Sequence, residues 1–319
     1  MRISKNLHTT TEDIPTAVKY MRKGIGLINS ISEAAAIKLV TKLFCKPVRV
    51  KIKARHEKWY QTGTTDVLNI QGYKVKVLRK GSGKAVYVAH GWNSCGYAMR
   101  HIVDALVNEG YQVIMPDMPC HGRSSGIFVN QVQMGEVIEE ILLHYNAQSP
   151  IEQIVTYSWG GTATLLALDR IRKQNRIGFN IKRMVSLSMP STPEAILGIF
   201  IRTLALSQGV AKGLRRNIAA VAEGDGRSLV EAFPIGLNKL FEREQFEYLL
   251  LHGTADSAIS SENSVTLANT YTHLGTRFYE GLGHHDIVKD TNVILAVIKH
   301  LEGKTKTSPV FARRLAAAY

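Results

Sequence analysis

Between residues 85 and 189, short apolar runs alternate with stretches of helical periodicity, and this rhythm constrains the fold more than any other feature of the chain. Ala85-Val86-Tyr87-Val88-Ala89, Tyr111 to Met115, Ile151 to Tyr157 and Arg183 to Met189 have strand length and are rich in Val, Ile and Leu. Between them, Ile102, Val103, Leu106 and Val107 recur at helical spacing and stop at Gly110. Met134, Val137, Ile138, Ile141, Leu142 and Tyr145 mark a second helix, and Gly160 to Arg172 a third. Strands that are apolar on both faces and separated by helices must be covered on both sides, which means a mostly parallel sheet between helical layers.

The flanks read differently. Val48 to Lys53 and Tyr73 to Val77 alternate apolar and basic residues, the period of a half-buried strand, and Gln71-Gly72 makes a turn after Val67–Ile70. Residues 1–46 read as a basic helical preface: Ser30-Ile31-Ser32-Glu33 has capping-box form, Ile37, Val40 and Phe44 share a face, and Pro47 stops the helix. From 190 to 245 the alternation gives way to helix. It resumes with a strand at Phe246 to Leu251, a helix around Val265 to Leu274, a strand at Thr276 to Tyr279 and a last helix over 286–303. The predicted organisation is an N-terminal helical and strand extension over 1–60, an α/β core over 61–189 and 246–303, a helical insertion over 190–245, and a tail over 304–319.

Composition narrows the class. With 319 residues, 45% hydrophobic and 21% charged, the chain can bury one large core and is neither disordered nor fibrous. Three scattered cysteines, Cys45, Cys95 and Cys120, offer no disulfide framework, so a reducing compartment is expected. The first twenty residues lack an apolar signal core and no run approaches a membrane span, which points to the cytoplasm. The net charge of +14 has three readings. Arg49, Lys51, Lys53 and Arg55, with Lys74 and Lys76, could form solvated strand faces that deter edge pairing. The charge could instead attract an anionic substrate or anionic lipid, with the basic preface resting on a membrane surface or else packing on the sheet. Nucleic acid is not expected, because no recognised motif accompanies the charge.

The chemistry sits at strand ends. In Thr156-Tyr157-Ser158-Trp159-Gly160-Gly161 a serine lies between an apolar strand and a helix, the setting of a nucleophile elbow. A helix N-cap is the bland reading of the same serine. His90-Gly91-Trp92 follows the first parallel strand, and the Trp92 and Trp159 amides are candidate oxyanion donors. Asp117 and His121, in Asp117-Met118-Pro119-Cys120-His121-Gly122-Arg123-Ser124, read as structural turn residues. A nucleophilic serine needs a base, and the base an orienting acid. His252-Gly253-Thr254-Ala255-Asp256 and Gly281-Leu282-Gly283-His284-His285 both follow strands, where open α/β sheets place their sites.

These segments together, in this order and spacing, resemble the α/β-hydrolase superfamily, specifically its lid-bearing esterase-like serine hydrolases. The resemblance covers about residues 64–303. It implies Ser158 as nucleophile, His284 as base, Asp256 as acid, the Trp92 and Trp159 amides as oxyanion hole, and residues 190–245 as a lid over the serine. His285 is the rival base and Asp286 the rival acid, although Asp286 reads as a cap of the last helix. The chain departs from the family at Thr156 and Cys120, where Gly is usual, and residues 1–60 lie outside the likeness. A serine nucleophile also argues against epoxide hydrolases. The function expected is hydrolysis of a small-molecule carboxylic ester with an apolar acyl or alkyl group. No cofactor is expected, and no metal, since the histidines do not fall at ligand spacing. A thioesterase or acyltransferase with the same triad, or a non-catalytic binding protein on this fold, remains an alternative.

Overall fold

A tight antiparallel hairpin opens the sheet. Strand β1 (Thr64–Ile70) pairs with β2 (Tyr73–Lys80), and Ile70 faces Tyr73 across Gln71-Gly72. Both turn residues have positive φ, 49° and 80°, the two-residue turn whose twist matches that of the strands it joins. The computed structural model of the chain describes residues 15–175, 178–223, 246–271 and 274–304.

Five helix-linked strands and one last strand complete the sheet. They are β3 (Lys84–Ala89), β4 (Tyr111–Pro116), β5 (Ile151–Tyr157), β6 (Arg183–Leu187), β7 (Glu247–Gly253) and β8 (Gly275–Tyr279). The order is β1-β2-β4-β3-β5-β6-β7-β8; β1 and β2 are antiparallel to their neighbours and the rest run parallel. This is the mostly parallel, doubly covered sheet that the apolar strands require. One face packs on α5 (Gln131–Asn146) and α6 (Trp159–Lys173) through residues such as Val137, Ile141, Ala163 and Leu168. The other packs on α4 (Arg100–Asn108) and α10 (Thr291–Leu301) through Ile102, Leu106, Val293 and Val297. Helix α9 (Glu262–Thr270) lies between β7 and β8.

Where it is described, the N-terminal extension folds as three helices: α1 (Thr16–Ile31), α2 (Glu33–Phe44) and α3 (Ala54–Tyr60). Where it is described, the segment between β6 and β7 is also helical, as α7 (Pro193–Leu204) and α8 (Gln208–Glu223). These two regions, remote in sequence, share one apolar cluster that includes Ile25, Val40, Leu197, Leu204 and Leu214. The later part of the predicted helical insertion, residues 224–245 with its apolar residues from Leu229 to Phe241, lies outside the described residues. No described helix is long and apolar enough to cross a membrane.

Four local expectations are corrected. Val48 to Lys53 forms no strand and joins no ladder among the described residues. Val48 is 71% exposed, and the Arg49 guanidinium reaches backbone carbonyls of residues 121–126 in place of a solvated strand face. The capping residue is Ser32, which accepts the Ala35 amide, while Ser30 lies in the last turn of α1. The last helix starts at Thr291, and Asp290, accepting the Asn292 and Val293 amides, is its cap in place of Asp286. The run at 183–189 leaves the sheet after Leu187, where Ser188 turns to a φ of 48°.

Candidate active site

Ser158 stands between β5 and α6 with φ 52° and ψ −132°, a conformation that costs a non-glycine residue free energy. The surroundings enforce it. The Ser158 amide donates to the Leu187 carbonyl at 2.8 Å, and the Ser158 carbonyl accepts the Gly161 amide at 2.9 Å. Neighbouring backbone comes so close that glycine is required. A Cβ on Gly160 would sit 2.4 Å from the His90 carbonyl oxygen, and one on Gly91 would sit 2.9 Å from the Ser158 Cβ.

Thr156 takes the position where the resemblance leads one to expect glycine, and its buried hydroxyl has a place. It lies opposite Ser186 on β6, with Oγ1 and Oγ 2.6 Å apart. Ser186 Oγ is 2.7 Å from the Tyr248 hydroxyl, which donates to the Met189 sulfur at 3.3 Å. The small serine on the next strand makes room for the larger threonine.

The structure brings Ser158, His284 and Asp256 into one chain. His284 Nε2 lies 3.1 Å from Ser158 Oγ, and His284 Nδ1 lies 2.7 Å from Asp256 Oδ2. An ionised carboxylate only accepts, so the Nδ1 proton points at Asp256 and Nε2 is left to accept from the serine. The other oxygen of Asp256 accepts the Ala258 and Ile259 amides at 3.0 and 2.8 Å. Burial works to raise the Asp256 carboxyl, but His252, His284 and the Ile259 amide outweigh it and hold the group well below the usual carboxylate range. His252 Nε2 donates to the Ile259 carbonyl at 2.8 Å and stands 3.5 Å from Asp256 Oδ2. Tyr157, which the sequence reading did not single out, donates its hydroxyl to the His284 carbonyl at 2.9 Å. His285 Nδ1 lies 3.2 Å from that same hydroxyl, turned to Tyr157 instead of to the serine.

Trp159 is the first residue of α6, so its amide has no carbonyl one turn back to bond and sits at the positive end of the helix dipole. Trp92 follows the glycine that approaches Ser158. The Trp92 and Trp159 rings stack at 4.5 Å and 24°, and the edge of Trp92 meets His121 at 5.0 Å. Asp117 is a tie between loops: it accepts from the Tyr60 hydroxyl at 2.9 Å, the Gly96 amide at 2.7 Å and Arg123 Nε at 3.0 Å. His90 likewise joins two loops, donating to the Gly91 carbonyl and accepting the Met118 amide. Ser158 and His284 open into a cavity of about 970 Å³, within the range of small-molecule sites. Its walls include Phe44, Val48 and Arg49, which no sequence motif marked.

The chain has the alpha/beta hydrolase fold: the family model of that description matches residues 84–234, and the mixed eight-stranded sheet has the same architecture. Among curated proteins, an epoxide hydrolase of Caballeronia sordidicola is 30% identical over 110 residues, and that match spans 32% of this chain and 32% of the relative. Among solved structures, an esterase of Pyrococcus furiosus aligns at TM-score 0.58 with 17% identity, over 81% of this chain and 97% of its own. A lipase, described as putative, of Acinetobacter baumannii aligns at 0.55 with 15% identity, over 80% and 96%. An epoxide hydrolase of Vigna radiata aligns at 0.52 with 15% identity, over 76% and 99%. At these identities the structural likeness speaks for the fold.

Proposed function

We propose that the chain is a serine hydrolase of carboxylic esters, with Ser158 as nucleophile, His284 as base and Asp256 as acid. The observation that carries this reading is the Ser158–His284–Asp256 hydrogen-bonded chain, with spacings of 3.1 and 2.7 Å, on a serine held in an elbow. Nε2 of His284 takes the Ser158 proton as Oγ attacks the carbonyl carbon. Asp256 stays ionised, fixes the ring's tautomer and stabilises the imidazolium that forms. The Trp92 and Trp159 amides receive the oxyanion, the latter helped by the α6 dipole. His284 then protonates the leaving alcohol, and water releases the acid by the same steps in reverse.

Ester chemistry suits a serine at this position better than epoxide opening does. A serine that opened an epoxide would be left as an alkyl ether, which a triad cannot hydrolyse. A carboxylate nucleophile gives a cleavable ester instead, but residue 158 carries none. Helix α7, which lines the cavity, serves in this reading as a lid together with α8, and the substrate's apolar group lies beneath it. A thioester, or an acyl acceptor other than water, would use the same groups.

The test is hydrolysis of p-nitrophenyl esters from acetate to palmitate, with labelling by a fluorophosphonate probe. Wild type is expected to turn over and to be labelled, and Ser158→Ala to lose roughly a thousandfold or more in kcat together with the label. A wild type that neither cleaves the series nor takes the probe overturns the reading in favour of a binding protein.

A further inference from the structure

We infer that residues 16–53, which precede the family match, form a specificity wall of the catalytic cavity, with Phe44 setting the length of the apolar group admitted. The inference rests on the hydrolase reading for its substrate class, since it names which part of an ester the cavity selects.

The extension lines the same cavity as Ser158 and His284. Met21, Leu43, Phe44 and Val48 face it from the extension, and Ile199 and Phe200 from α7. Phe44 is placed to act. Its ring lies 5.7 Å from that of Trp159, beside the serine, and 5.2 Å, edge-on, from that of Phe200. It also packs against both the sheet's core and the cluster shared by α1, α2, α7 and α8. The ring therefore stands between the reacting serine and the apolar interior of the capping helices.

A wall selects only if it holds still, and this one is anchored on both sides. After α2, the Cys45 carbonyl accepts the Val129 amide at 2.9 Å, and the Val48 amide donates to Asn93 Oδ1 at 2.7 Å. Arg49 donates to the Gly122 and Gly126 carbonyls at 2.9 and 2.8 Å. These bonds tie the segment after α2 to the loops that follow β3 and β4, next to Trp92. On the other side α2 lies along α8 in steps of four residues. A Cβ on Gly209 would meet the Glu33 carboxylate, one on Gly213 would meet Ile37, and Asn217 donates to Thr41 at 3.2 Å. Arg22 of α1 donates to the Thr203 carbonyl at 2.9 Å. The extension and the described part of the insertion are thus two halves of one cap.

Phe44→Ala and Phe44→Trp in the full chain, with kcat/KM measured on p-nitrophenyl esters of increasing length, test the assignment. In a filled apolar pocket a change of this size is worth about tenfold or more in discrimination. The kcat/KM ratio of laurate to butyrate should rise by about that factor in Phe44→Ala and fall by a similar factor in Phe44→Trp. Ratios unchanged in both variants, or moved in the same direction by both, overturn the wall. The milder Phe44→Leu, expected to raise the ratio by less, takes the place of Phe44→Ala should the alanine variant not fold. A second readout needs no turnover: n-alkanols of increasing length, titrated against the emission of the stacked Trp92 and Trp159. Affinity should grow with length up to a limit, and Phe44→Ala should move that limit upward. A limit that does not move sinks the wall even if the chain is an esterase. A limit that moves in a chain that cleaves no ester keeps the wall and sinks the hydrolase reading.

Discussion

Thr156 shows how a single residue can depart from a pattern without loss of geometry. A hydroxyl buried beneath the elbow would be costly without a partner, and Ser186 provides one at 2.6 Å. Thr156→Val keeps the shape and removes the bond. It should lower unfolding stability by about 1–3 kcal/mol, read as a lower urea midpoint at unchanged m-value. His121 is a buried residue of the opposite kind. It is fully enclosed, and burial first, with His90 nearby, lowers its pKa from 6.5 to about 3. The unfolded chain takes up this proton near pH 6.5 and the folded chain only near 3, so stability is complete above pH 6.5 and drains away as pH falls. Between those limits the loss approaches about 1.4 kcal/mol per pH unit. His121→Gln, which cannot take the proton, should show a shallower fall in Tm between pH 7 and 4.5 than wild type, whatever its Tm at neutral pH. Equal slopes would mean that His121 protonates in the folded chain as readily as in the unfolded one.

The elements divide by what kind of signal specifies them. The strands β3 to β7 were legible because burial on both faces leaves short runs that are mostly apolar, with few polar residues such as Gln153 and Thr156 among them. The hairpin was legible because Gln71-Gly72 supplies the backbone conformation its turn needs. Ser158, Asp256 and His284 could be grouped from the sequence because each lies just beyond the carboxyl end of a strand, where open α/β sheets place their sites. Val48 to Lys53 misled because alternation records only one wet face, and here that arises from a segment lying across loops that capture Arg49. Helix α3 was missed for its brevity: seven residues are two turns, too few for periodicity. Phe44 could be read only as part of a helical face, because its partners Trp159 and Phe200 come from remote segments. The pairing of α2 with α8 was hidden in the same way, since the marks are two glycines on α8 that a sequence reading takes as weak helix positions. Gly213→Val tests that pairing. A Cβ there would already lie 2.3 Å from Ile37 Cδ1, and two more methyl groups must push the helices apart. The variant should lose about 1–3 kcal/mol, seen as a lower Tm, whereas Gly26→Ala on α1, where a Cβ meets nothing within 4 Å, should not destabilise.

At the scale of the whole molecule, the buried apolar side chains among the described residues form three clusters: one on each face of the sheet and a third between α1, α2, α7 and α8. The two large clusters share the sheet between them, so neither can open without exposing strands of the other. Among the described residues the third contains no strand. Its buried Ile, Val and Leu side chains, at roughly 1.5–3 kcal/mol each before entropy is charged, hold together helices that lie more than a hundred residues apart in the chain. Its hold on the core runs through a few places, such as Phe44, Arg49 and the Cys45–Val129 bond. A body so built opens at lower free energy than the sheet, and opens as one unit, because losing either half uncovers the apolar face of the other. Hydrogen exchange should therefore find the amides of α2 and α8 exchanging together, with protection below that of β3, β5 and β6. Gly213→Val should lower protection in both helices while leaving those strands unchanged. Independent exchange of α2 and α8 would mean that the cap is two separate covers. Joint exchange would mean that one opening event uncovers the cavity above Ser158, so the wall that selects a ligand is also the part that must yield to admit it.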